Sequence, residues 1–540
     1  MTSTYDPAFV DLFLSHYWTY HPVDATFMGN RDNDGRLPPV DGDVLEAELS
    51  ANARLVERIA ATAEPATSGD RLDRKMMLSE LEMQAEAARH RPRLHNPAWY
   101  TGEAAFGIIS LLLPQAEAVR HEALLDRLEA VPAFLQAAAE NLAGRPVPKS
   151  WVARAQRECH AMLSFLRDDI RLHDQYRETW RAPAGLAADA FSAFAEALKD
   201  CPDADPACGE AYMARLMKVA HGLDLSPRQA VDLAQHGFDD LEVELQAMAK
   251  QFDPARSWEE IVASLSNIHP QNEDAVFASY RDWDDRARRD GRKLVTPADD
   301  YQLDYRWMAL CFRNVSKYLY FLFYRSPPGL SAGEGSVYWV TPPGEDLAPF
   351  LSTNSTATVK AIHSVHHGSI GHHTQNARAR QAASRLARIA GTDCAMGLAF
   401  LGSGTLIEGW ACYAEDLLME APGFYMAEEL LLLKHFERRN AASVLVDIKL
   451  HIGDWSMDEA IAFYRDKAGF APARVEGEVV RNSMLPGSRL MYWLGVEGIR
   501  ALRKRWKGDA RSFHDTLLSF GHMPLAWIGE EMDRAGLLAP

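Results

Sequence analysis

The sequence predicts an all-α fold, mainly helical with few short strands, and three observations carry that prediction. Apolar residues recur at helical spacing over long stretches. The composition is rich in the good helix formers Ala, Leu, Glu and Arg, and runs of β-branched and aromatic residues are scarce. With 540 residues, 47% of them hydrophobic, the chain has ample material for an ordered core.

Taken in order, Leu72 to Ala88, Leu124 to Leu142 and Ala187 to Leu198 each read as amphipathic helices. Ser226-Pro227-Arg228-Gln229 offers an N-cap, a proline at the first helical position and a Gln three residues on, a capping box before a helix running to Lys250. Ser456-Met457-Asp458-Glu459 repeats that logic. The best strand is Ser336 to Thr341, ending at Pro342-Pro343-Gly344, and it follows a Pro/Gly/Ser loop from Ser326 to Gly335. A soft division near residues 295–335 separates an N-terminal helical region, 1–310, from a second region, 335–540, that holds the chemistry. Nothing between them resembles a flexible linker, so one packed body is expected.

The formal charge of −18 has no compensating run of Lys and Arg, which excludes the electrostatic footprint of a nucleic-acid binder. Six scattered cysteines (Cys159, Cys201, Cys208, Cys311, Cys394, Cys412) form neither a disulfide framework nor a cysteine zinc site. Cys201 and Cys208 bracket an acidic loop and are expected reduced. The first residues lack the basic and apolar regions of a signal peptide, and no apolar stretch reaches the length of a membrane span. The expectation is a cytoplasmic protein without a membrane partner.

Five of the 19 histidines, His363, His366, His367, His372 and His373, fall within eleven residues. Imidazole is the commonest protein ligand for zinc and also suits iron, copper and nickel, so the cluster points to a metal centre. The competing account is a polar helix face carrying solvated histidines. On a regular helix His363 and His367 share one face, whereas His366 and His372 stand about 120° apart. That second pair can meet one ion only if the helix is bulged or broken between them, and Gly368 and Gly371 occupy that interval.

The run His366-His367-Gly368-Ser369-Ile370-Gly371-His372-His373-Thr374-Gln375 resembles the His-Glu-x-x-Pro-Gly-His-His-x-Gln signature of the bacterial domain-of-unknown-function family number eight hundred and eighty-five. Glu408-Gly409-Trp410-Ala411-Cys412-Tyr413-Ala414-Glu415, Val446-Asp447-Ile448-Lys449-Leu450-His451, Leu485 to Tyr492, Phe513 to Leu525 and Pro22 to Gly29 resemble further blocks of that family, in the same order. Its members are described as candidate zinc metallopeptidases of gluzincin-like helical architecture. The resemblance implies a large helical body with a central cleft, metal ligands at His366, His372 and Glu408, and one divalent ion, zinc first, with iron or another transition metal next. Glu408 follows His372 by 36 residues and reads equally as a first-turn acid stabilised by the helix dipole.

Three positions depart from the family pattern: His367 stands where the motif has Glu, Ile370 replaces its Pro, and Ser488 replaces a Gln. The motif Glu moves the proton of metal-bound water, so His367 is expected either to act as that base or to close the coordination shell as a fourth ligand. Tyr492, Arg481 and His451 are candidates for stabilising an oxyanion or clamping a substrate carboxylate. The plainer accounts are a core tyrosine, and an arginine paired with Glu478 on its own helix. His363 and His373 are either partners of the ligands or surface residues.

The function expected is metal-dependent hydrolysis of amide or peptide-like small substrates. The alternatives are a non-hydrolytic metalloenzyme with a two-His, one-carboxylate or extra-His centre, and an inactive metal-binding pseudo-enzyme. The partner is a small molecule or short peptide-like substrate, and no oligomeric state follows from the sequence.

Overall fold

A computed structural model describes residues 4–113, 119–319, 324–331, 333, 335–390 and 404–540. The predicted helices are present with small shifts at their ends. Leu72 to Ala88 lies within Ser68–His90, Leu124 to Leu142 within His121–Leu142, and the third predicted helix is Arg181–Ala197, closed by a 3₁₀ turn at Leu198–Asp200. Helix Pro227–Phe252 carries the predicted capping box: Ser226 Oγ accepts from the Gln229 N–H at 3.2 Å, and Gln229 Oε1 accepts from the Ser226 N–H at 2.9 Å. The Ser456–Glu459 box is built the same way.

The elements that build the site come from the second half of the chain. They are helix α1 (Glu273–Gly291), strands β1 (Gln302–Trp307), β2 (Tyr324–Arg325) and β3 (Gly335–Val340), a π-helix (Val359–His366), and helices α2 (His372–Ala379), α3 (Gly404–Leu417), α4 (Ala427–His451), α5 (Pro472–Met484) and α6 (Leu490–Arg505). The predicted strand is β3, but it is the centre of a three-stranded sheet ordered β1-β3-β2, parallel to β1 and antiparallel to β2. β1 was not anticipated although Leu303, Tyr305 and Trp307 alternate with Gln302, Asp304 and Arg306, a period-two signal that was available, whereas β2 is too short to register. Tyr305, Tyr324 and Tyr338 of the three strands meet Tyr280 of α1 in one buried cluster that also takes in Val359 at the start of the π-helix. The sheet is thus a bracket that holds the π-helix against α1.

Two larger cores draw on both sides of the sequence division. One joins the helices between Pro97 and Leu198 to Phe312, Trp339, Val480 and Met484. The other joins Phe13 and Tyr17 to Trp410, Tyr413 and Phe513. Helices α3 and α6 cross where Gly409 meets Gly495: a Cβ on Gly409 would lie 2.7 Å from the Gly495 Cα, so only glycine lets the two axes approach this closely. That crossing sets Glu408 of α3 beside the N-terminal turn of α6.

Cys159, Cys201, Cys208, Cys311 and Cys412 are all free thiols, as expected, and Cys394 lies outside the described residues. Among the described residues no helix is long and apolar enough to cross a membrane.

Candidate metal centre

The break that the two histidines require is supplied by the π-helix and the turn after it. The His367 N–H donates to the Ile362 carbonyl five residues back, at 3.1 Å, and the helix ends there. Residues 367–371 then turn, and α2 starts afresh at His372. Three supports fix the turn. The Ser369 N–H and hydroxyl donate to the two oxygens of Asp284 on α1 at 2.7 and 2.6 Å. The Trp410 indole N–H donates to the Ile370 and Gly371 carbonyls at 3.1 and 3.3 Å. Gly371 sits so tightly that an added Cβ would be 2.6 Å from the His366 carbonyl carbon, with the oxygens of His366 and Val365 nearer still. Lys360 anchors the π-helix from behind, pairing with the buried Glu429 at 2.8 Å and lying 4.0 Å over the Trp283 ring.

The result is that His366 and His372 face each other, ring centroids 4.9 Å apart, and converge on one carboxylate. His366 Nε2 lies 3.5 Å and His372 Nε2 3.7 Å from Glu408 Oε2. Neither distance is a hydrogen bond, and this enclosed oxygen has no hydrogen-bond partner. Ligands held at roughly 2.0–2.2 Å from one tetrahedral ion stand about 3.3–3.6 Å from each other, so the spacing suits a shared cation. Glu408 lies in the second turn of α3, beyond the reach of the first-turn dipole account.

The outer nitrogens are spoken for. His366 Nδ1–H donates to Glu415 Oε1 at 2.8 Å, and His372 Nδ1–H donates to Gln375 Oε1 at 2.9 Å. Gln375 has its amide orientation fixed, because its Nε2 donates to the Leu406 and Ile407 carbonyls at 3.0 and 3.2 Å. Both imidazoles therefore turn Nε2 toward Glu408, the arrangement by which outer partners orient metal-binding histidines. Burial alone would push the His366 pKa down, but Cys412, Glu408 and Glu415 hold it well above the usual range. Burial would likewise raise Glu408, yet His366 and His372 hold it well below. A protonated imidazole here does what a bound cation would do for the carboxylate.

Cys412 and Glu415 were not anticipated as site residues. They lie four and seven residues after Glu408 on the same face of α3, and that i, i+4, i+7 spacing was the available signal. Cys412, His366 and Glu415 form a second donor cluster. The 2.8 Å contact of His366 with Glu415 is a hydrogen bond too short to admit an ion between them, which makes Glu415 a support rather than a ligand. Burial lifts the Cys412 thiol to about 12.

The remaining candidates separate clearly. His367 lies beside the pair, its ring 4.7 Å from His366 and 5.5 Å from His372, with an enclosed Nδ1 that has no partner. Burial and the neighbouring imidazoles push its pKa well below the usual range, so it is neutral. Tyr492, on α6 one turn before Gly495, is half-buried, and burial followed by Glu408 raises its phenol. Arg481 is also half-buried and does not pair with Glu478, which is taken by Arg474 and Arg489. His451 is not brought to the cluster: it is fully enclosed at the end of α4, its Nε2 2.9 Å from the Asn482 carbonyl. His363 bonds the Tyr338 hydroxyl and stacks on Tyr280, while His373 Nε2 lies 2.7 Å from the Tyr301 carbonyl. His373 is buried and His363 half-buried, and neither bonds the ligand pair.

Comparison with known proteins adds a fold and a family. The chain superposes on the structure of a proposed lipoprotein of unknown function from Shewanella oneidensis with a TM-score of 0.78 and 19% identity, covering 97% of this chain and 98% of that one. A proposed lipoprotein from Colwellia psychrerythraea gives a TM-score of 0.76 at 16% identity, covering 98% of each chain. No curated protein matches the chain. The cytoplasmic expectation is corrected by these neighbours, because both are named as lipoproteins, a class that is exported and held at a membrane by lipid. The profile of a bacterial protein family of unknown function, DUF885, matches residues 22–532, and the chain belongs to that family.

Proposed function

We propose that the chain is a metal-dependent hydrolase of amide or peptide-like small substrates, working with one divalent ion, for which zinc is the best match to two imidazoles and a carboxylate. The observation that carries this reading is the convergence of His366 Nε2 and His372 Nε2 on a Glu408 oxygen that has no other partner. When bound, such an ion polarises a carbonyl and makes water a better nucleophile. His366, His372 and Glu408 would hold it, oriented by Glu415 and Gln375. His367, adjacent to the pair, would take the place of the family's motif Glu as proton acceptor, a weak base because burial and the neighbouring imidazoles hold its pKa low. Tyr492, kept protonated by burial, donates to a developing oxyanion. By analogy with the two lipoproteins of the same fold, this work belongs outside the cytoplasm.

One observation favours a second reading. A nitrogen of His367 lies within 4.8 Å of those of His366 and His372, close enough to become a fourth ligand. The shell would then be closed, as in a non-hydrolytic centre with iron or another transition metal, or in a pseudo-enzyme whose metal only holds helices together.

Elemental analysis of untagged protein separates these. About one zinc per chain, lost in both His366→Ala and Glu408→Ala, with amide hydrolysis abolished by chelation, is the expected result. Iron in place of zinc would favour the closed shell, and no metal after reconstitution would overturn the centre altogether.

A further inference from the structure

Beside Glu408 the protein carries more positive charge than it answers. Arg489, the residue before α6, is fully engaged: it pairs with Glu478, its Nε donates to Asn482 Oδ1 at 3.0 Å, and its Nη1 donates to the Tyr492 hydroxyl at 3.4 Å. The other oxygen of Glu478 is taken by Arg474 at 3.1 Å. Arg481, three residues along α5 on the same face as Glu478, therefore makes no hydrogen bond or ion pair with any described residue. Arg439 of α4 lies 4.1 Å over the Phe470 ring, and its enclosed Nε has no partner. Glu478 is thus divided between Arg489 and Arg474, and two half-buried guanidinium groups, Arg439 and Arg481, have no carboxylate of their own among the described residues. Burial, followed by the neighbouring Arg489, pushes the Arg481 guanidinium down, and burial, followed by Arg474, lowers that of Arg439 to about 10. Leaving such cations half out of water without a counter-ion is unfavourable unless an anion arrives.

We infer that Arg481 receives the free α-carboxylate of the substrate, so that the hydrolase acts on short peptides or N-acyl amino acids ending in a carboxylate. This rests on the hydrolase reading, because Tyr492 is among the groups whose charge acts on Arg481 and is itself acted on by Glu408. The planar fork of arginine matches a carboxylate with two parallel hydrogen bonds, which an ammonium cannot supply.

The test is calorimetric binding of N-acetyl-alanyl-phenylalanine, as free acid and as amide, to metal-free protein, where nothing turns over. The acid is expected to bind at least about 10-fold more tightly than the amide. Arg481→Met should erase that preference while melting no lower than wild type, because it removes an unanswered charge. Arg481→Lys should keep part of it, and Glu408→Ala all of it. Equal binding of acid and amide by wild type, a preference surviving Arg481→Met, or competition by inorganic phosphate without any acid preference would overturn the inference. The two readings fail separately. Turnover indifferent to chelation sinks the hydrolase and leaves the binding preference, whereas metal-dependent hydrolysis equal on acid and amide sinks the preference alone.

Discussion

Replacing Gly371 by alanine tests the turn that brings the proposed metal ligands together. The new methyl would sit 2.6 Å from the His366 carbonyl carbon and closer to two carbonyl oxygens, all of it backbone, so no side chain can swing away. The turn must open by about 1 Å, and overpacking of this kind costs on the order of 1–3 kcal/mol in a core site. The larger effect falls on the ligands. His372 is the next residue, and a 1 Å retreat takes its Nε2 from about 2 Å to about 3 Å from an ion shared with His366, beyond bonding distance. Gly371→Ala is therefore expected to lower the melting temperature by several degrees and to weaken zinc binding at least about 100-fold in competition with a chromophoric chelator. The helix content by circular dichroism should stay close to wild type, because α2 and the π-helix are held independently by Gln375 and Lys360. A Gly371→Ala protein that melts and binds metal like wild type would refute the argument that the turn sets the ligand spacing.

Two further predictions concern the supports. Glu415→Ala removes the acceptor of the His366 Nδ1–H without touching a ligand, and should cost about 10- to 100-fold in metal affinity, with Glu415→Gln recovering most of it; equal affinity in all three proteins would show that Glu415 orients nothing. Asp284 gives a pH dependence: burial lifts its carboxyl from 3.8 to about 6 against the lowering hydrogen bonds of Ser369, so the folded state holds its proton more tightly than the unfolded chain. Its contribution to stability is thus greatest below pH 3.8 and is lost as pH rises through about 6. Relative to wild type, Asp284→Asn should gain on the order of 3 kcal/mol between pH 4 and 7 in urea titrations, and a flat difference would refute the shift.

The helices were legible because apolar periodicity and capping chemistry are local: the Ser226 and Ser456 boxes can be read from four residues each. The candidate site was legible for a different reason, the density of histidine and its likeness to a family motif, which pointed to the three residues that converge. What could not be read was non-local. The two-residue strand β2 is made meaningful only by its pairing with β3, and the parallel pairing of β1 with β3 is set across an intervening stretch of chain, although the alternation of β1 itself was there to be read. Glu478 was expected to answer Arg481, but Arg474 and Arg489 both reach it instead, and Arg489 comes from beyond the end of α5. His451 sits in a family-like block, yet its neighbours Asn482 and Asp447 enclose it away from the ligands.

The wide turns at Val359–His366 carry one consequence for how the gene can change. A π-helix accommodates more residues per turn than the α form, and is equivalent to an α-helix that has received an insertion. Deleting a single codon between Val359 and Val365 would let the backbone relax into the commoner ladder, where each residue turns about 100°. His366 would then leave Glu408 by a quarter-turn or more although every donor residue was still encoded. Spacing, and not only residue identity, then sets the convergence at this site, and a one-residue deletion here is expected to break it even with all three donors still encoded.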